Sequence, residues 1–108
     1  MRIHFDRKGG FANIPLTTTI GVDRLPQADA DRLREIIAAV SFFSLPSQIT
    51  SSTPAPDRFH YTVTVETPER THKVSIDESA ASPELRSLIQ MLTRIARPRE
   101  GSNRGDIR

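Results

Sequence analysis

Apolar and polar residues alternate from the start of the chain. Ile3 and Phe5 fall on one side, and Arg2, His4 and Asp6 on the other. A period of two marks a half-buried strand, because successive side chains leave a strand on opposite faces. The alternation resumes over residues 13–22, with Ile14, Leu16, Thr18, Ile20 and Val22 in phase. Between the two runs stand Gly9 and Gly10, adjacent glycines that accept the φ > 0 of a tight hairpin turn. A two-residue turn there pairs Phe5 with Ile14 and Ile3 with Leu16, so turn geometry and apolar pattern agree. Pro15 has no N–H and belongs at an unpaired or edge position.

The period then lengthens. Asp23-Arg24-Leu25-Pro26 ends the strand, and Pro26 suits the first turn of a helix, with Asp29 and Asp31 in its early, dipole-favoured part. Leu33, Ile36, Ile37 and Val40 follow the spacing of one buried stripe, while Arg32, Arg34 and Glu35 cover the other side. The helix is expected to end near Ser41, with Phe42 and Phe43 turning back to the core and Leu45-Pro46 as the stop. Residues 44–57 read as a loop with Pro46, Pro54 and Pro56. A connection of that length in so small a domain is usually functional or disordered.

Residues 58–67 form the clearest strand, with Phe59, Tyr61, Val63 and Val65 inward and His60, Thr62, Thr64 and Glu66 outward. Pro68-Glu69 turns the chain, and residues 71–77 return with Val74 and Ile76 inward. That register pairs Val63 with Val74 and Tyr61 with Ile76. Ser82-Pro83-Glu84 is a helix start: a capping serine, a proline at the first position, then an acid. Leu85, Leu88, Ile89, Leu92 and Ile95 make its buried stripe. The pattern predicts an α+β fold in the order ββαββα, a four-stranded antiparallel sheet with two helices packed on one face. Residues 1–97 are read as one domain and 98–108 as a disordered tail.

Composition sets limits on the chemistry. A chain of 108 residues supports one core, and the absence of cysteine excludes disulfides and thiolate chemistry. No apolar leader follows Met1 and no stretch reaches membrane-spanning length, so a cytoplasmic protein without membrane attachment is expected. The net charge of +2 is matched by residues 97–108 alone, where four arginines meet two carboxylates. The folded part is therefore near neutral, unlike a nucleic-acid binder with a basic face. The strand aromatics Phe5, Phe59 and Tyr61 also point inward, leaving no stacking platform for bases.

His4, His60 and His72 include no pair at i, i+2 or i, i+4, so no metal site is expected. There is no nucleophile-elbow pattern, and Asp29, Asp31 and Glu35 are most simply solvated charges on a helix. No catalytic residue and no cofactor are assigned. Arg104-Gly105-Asp106 spells an adhesion tripeptide, a match short enough to arise by chance. Phe11, directly after the glycines, has two readings. It folds over the end of the core, or it is an exposed anchor on a constrained loop.

The run from Met1 to Ala12, with Gly9-Gly10-Phe11-Ala12 at its turn, and the following Ile14-Pro15-Leu16-Thr17-Thr18-Thr19 resemble the emfourins. The resemblance continues through Val22-Asp23-Arg24-Leu25-Pro26, the Leu33 helix, Phe42-Phe43-Ser44-Leu45-Pro46, Asp57-Arg58-Phe59, the Val74 strand and the helix at residues 85–97. Asn13 departs from it, standing where a second small residue is expected; asparagine tolerates left-handed backbone geometry. The resemblance implies a protein inhibitor of protealysin and related thermolysin-like zinc metallopeptidases, acting by blocking the active-site cleft. It does not assign contacts. The residues themselves put forward two loops, Lys8-Gly9-Gly10-Phe11-Ala12-Asn13 and Ser51-Ser52-Thr53-Pro54, on a chain that is a monomer when free. The alternative is a non-catalytic adaptor using the same hairpin on a different partner.

Overall fold

The computed structural model describes residues 1–9, 15–51 and 58–96. Strand β1 spans Arg2–Gly9, β2 Leu16–Gly21, β3 Gln48–Ile49, β4 Phe59–Glu66 and β5 Thr71–Asp77. Helix α1 spans Gln27–Ala39 and α2 Pro83–Ala96, and three single 3₁₀ turns lie at Val22–Arg24, Phe42–Ser44 and Glu78–Ala80. The class is α+β, but among the described residues the sheet has five strands in the order β2-β1-β4-β5-β3. The expected four-stranded antiparallel sheet is corrected by β3, which pairs parallel to β5 through Gln48–Ser75 and Ile49–Ile76. Two residues are too few to display an alternation, so β3 is invisible as a pattern. The Ser75 N–H also donates to the Ser47 carbonyl at 2.8 Å, which extends the contact by one residue.

The β4–β5 register is as expected, with Val63 opposite Val74 and Tyr61 opposite Ile76. The β1–β2 register is not. Ile3 faces Ile20, Phe5 faces Thr18 and Arg7 faces Leu16, which is not the register of a two-residue turn at Gly9-Gly10; Gly10 itself lies outside the described residues. Both registers put the same side chains on the same faces, because they differ by an even number of residues. The strand β1 also runs on to Gly9 beside β4, where Gly9 faces Phe59.

Burial follows the phases. Ile3, Phe5, Val63, Val65 and Val74 on the sheet's inner face are buried with Leu33 and Ile37 of α1 and Leu85, Leu88, Ile89 and Leu92 of α2. Ser41 closes α1 in the left-handed conformation (φ 52°), and this reversal returns Phe42 to the core, edge-on to Phe43 and His72. The Ser82 hydroxyl accepts the Leu85 N–H at 3.2 Å, the cap expected of Ser82-Pro83-Glu84. Pro26 stands one residue before α1 rather than inside its first turn.

Candidate partner-binding end of the sheet

The topology brings the roots of both candidate loops together. The chain leaves the described residues after Gly9 and returns at Pro15; it leaves again after Ser51 and returns at Arg58. Gly9 ends β1 and Phe59 begins β4, and the two are direct register partners. Ser51 follows β3, whose Ile49 faces Ile76 one residue before the end of β5. Lys8, Gly9 and Ser51 therefore sit at one end of the sheet. Gly10, Phe11, Ala12, Asn13, Ser52, Thr53 and Pro54 lie outside the described residues.

Gly9 is glycine for a reason that the structure makes specific. Its φ is +86°, a region that disfavours L side chains, and a Cβ there would stand 2.6 Å from the Arg58 carbonyl oxygen. The absence of a side chain lets the two loop roots approach backbone to backbone.

Beneath them lies a support of aromatic and charged groups. The Arg7 guanidinium sits over the Phe59 ring, 4.5 Å from its centroid, a geometry that favours the cation. Arg7 occupies the inner phase of β1 between Leu16 and Tyr61, and its Nε is buried without a hydrogen-bond partner. Burial raises the Tyr61 phenol above its ordinary value; Glu78 adds to the shift and Arg7 opposes it. Glu78 accepts the Phe59 N–H at 3.0 Å and so fixes the residue at which the second loop rejoins the sheet.

Asp77 fastens the other root. Its carboxylate accepts the Ser79 N–H at 3.1 Å and the Ser79 hydroxyl at 3.0 Å. The Ser79 amide is the largest cause holding its pKa below the ordinary value, with smaller contributions from the Ser79 hydroxyl, nearby His60 and the Ser51 amide. Lys8 points to the open face, 3.8 Å from Asp6. These supports were missed in the sequence, although two signals were present: a charge on the apolar phase of β1 at Arg7, and the Asp77-x-Ser79 spacing of an Asx turn.

His4 and His72 serve structure. His4 bridges the Thr19 hydroxyl at 3.1 Å and the Glu66 carboxylate at 3.1 Å, which ties β2, β1 and β4 together on the open face. His72, on the inner face, donates from Nε2 to the Leu45 carbonyl at 2.7 Å and packs against both phenylalanines. Among the described residues no group of three or more His, Cys, Asp or Glu side chains could hold a metal ion. Nor is any helix among them long and apolar enough to cross a membrane.

The emfourin family model matches residues 5–93, most of the chain and the whole sheet-and-helix unit except its ends. The chain belongs to the emfourin family. Membership suggests a metallopeptidase-inhibitor role and a peptidase partner, and it makes a non-enzymatic chain the natural reading. No curated protein and no solved structure matches. The match takes in the end of β1, both candidate loops and the Arg7–Phe59–Glu78 support.

Proposed function

We propose that this emfourin inhibits a thermolysin-like, protealysin-type zinc metallopeptidase in the cytoplasm, by laying residues 8–13 and 51–54 across its active-site cleft. The observation that carries this is the pairing of Gly9 with Phe59, which roots the two loops on adjacent strands at one sheet end. Two loops held on neighbouring strands form one composite edge, which suits insertion into a cleft. Residues anchored by a sheet lose little freedom on docking, and pre-organisation of this kind is a main source of inhibitor affinity.

Phe11 is the proposed anchor, filling the apolar pocket that such enzymes share just past the scissile bond. Lys8 and Asn13 flank it, and the second loop widens the contact toward a standard interface of about 1,600 Å². The prolines of the second loop limit strand-like docking and so limit cleavage. The inhibitor contributes no metal; the zinc belongs to the peptidase.

Phe11→Ala tests the anchor. Removing a fully buried ring is worth about 1.5–3 kcal/mol, so the inhibition constant should rise about tenfold to 150-fold. The thermal midpoint should stay nearly unchanged. Large destabilisation with unchanged inhibition would put Phe11 in the core and overturn its role.

A further inference from the structure

Strand β2 is the outer strand of the sheet, with no neighbour on its far side among the described residues. Open edges pair readily with other strands, and proteins usually blunt them with charge, proline, bulges or shortness. At the opposite edge β3 is only two residues long, and Pro46 precedes it closely. β2 is three times as long as β3. Its six residues, Leu16-Thr17-Thr18-Thr19-Ile20-Gly21, hold no charge, and Pro15 stands just outside.

We propose that β2 pairs antiparallel with β2 of a second copy of this chain, giving a two-fold dimer whose sheet runs through the interface. The strand is self-complementary. Residues opposite one another in an antiparallel pair point to the same face, which restricts the register. A two-fold axis at Thr18 satisfies that condition. It sets Leu16 opposite the partner's Ile20 on the inner face and Thr17 opposite the partner's Thr19 on the outer face. Apolar meets apolar, and hydroxyl meets hydroxyl, both favourable cross-strand pairs.

The surroundings suit the same occupant. Beside β2 lies a groove of about 580 Å³ lined in part by Ile20, Gly21, Leu25 and Ile95. Leu16, Leu25 and Ile95 are only partly buried, and in this register the partner's Leu16 falls on Ile20 at that groove. Arg2 and Arg24 also border it, and the incoming strand brings no cation against them. One six-residue strand pair is small beside a standard interface, so the dimer is weak and concentration-dependent. A monomer is then the dilute form only. The axis stands perpendicular to the sheet, so the two loop ends face opposite directions and one dimer could hold two partners. This dimer does not depend on the inhibitor reading.

The test is sedimentation velocity on the full chain from low micromolar to near-millimolar concentration. The mass should rise from 12.1 kDa toward twice that value. Thr18→Lys brings two ammonium groups together at the axis and should weaken association at least about tenfold. Hydrogen exchange provides a readout that needs no variant: β2 amides should slow as concentration rises, and β3 amides should not. A single 12.1 kDa species throughout would overturn the proposal. So would a dimer whose β2 exchange ignores concentration, and a dimer lost on removal of residues 97–108 with Thr18→Lys silent would give the contact to the tail.

Discussion

Gly9→Ala probes the loop end directly, and its cost can be worked from the geometry. The backbone there has φ +86°, and an alanine Cβ would lie 2.6 Å from the Arg58 carbonyl oxygen, where ordinary contact begins at 3.4 Å. The left-handed conformation costs an L residue about 1–2 kcal/mol. The overlap adds about 1–3 kcal/mol, because the opposing atom is a backbone carbonyl one residue before β4, tied to the paired Phe59, and cannot swing aside as a side chain can. A total of about 2–5 kcal/mol corresponds to a fall in thermal midpoint of roughly 10–20 °C for a domain of this size. Gly21→Ala is the matched control. Its φ is −85°, and its Cβ would meet only the Arg24 side chain at 3.6 Å. A change within about 0.5 kcal/mol is expected there. Urea unfolding of both variants measures the difference, and titration against a metallopeptidase at a temperature where Gly9→Ala is folded measures its effect on the loop roots. The inhibition constant should rise for Gly9→Ala alone. Equal stability of the two variants, with inhibition unchanged in both, would refute the account of Gly9 as the close approach between the loops.

The other predictions concern the second loop, acid and the core. Replacing residues 51–54 by a Gly-Ser segment should raise the inhibition constant; no change removes that loop from the site. Asp77 has a folded pKa held below its ordinary 3.8, so its stabilising effect is full above that value and is lost as pH falls through the lower folded value. Asp77→Asn should accordingly weaken folding at neutral pH and converge with the parent in strong acid, read by unfolding midpoints against pH; parallel curves would contradict the assignment. Leu88 is fully buried in α2, so Leu88→Ala should cost about 2–5 kcal/mol of unfolding free energy, while a loss under about 1 kcal/mol would contradict the packing.

Local signals account for what the sequence reveals. Val63 over Val74 and Tyr61 over Ile76 follow from a short turn at Pro68-Glu69 that leaves little choice of register. The Ser82 cap and the Leu85–Leu88–Leu92 stripe likewise depend on neighbours in the chain. The β1–β2 register does not. Pairing Ile3 with Leu16 or with Ile20 keeps every side chain on its face, and alternation cannot choose between them. The choice comes with β4, which runs beside β1 to Gly9 and draws the strand past the position of a tight turn. The same limit applies to the site. Lys8, Gly9 and Ser51 were found as turn and loop residues. Of the groups that hold them, Phe59 and Arg7 meet only once β1 and β4 are paired, whereas Asp77 and Ser79 meet within the chain's own local turn. Arg7 carried a signal nonetheless, because a charge on an inner phase demands an explanation.

The central claim is inhibition of a thermolysin-like metallopeptidase, and titration tests it most directly. The purified chain is added to a protealysin-type peptidase and, separately, to a serine peptidase, with peptide hydrolysis followed in both. The account predicts stoichiometric loss of the metallopeptidase activity and none of the serine peptidase activity. Full metallopeptidase activity at micromolar inhibitor, with the fold verified by circular dichroism, would contradict it.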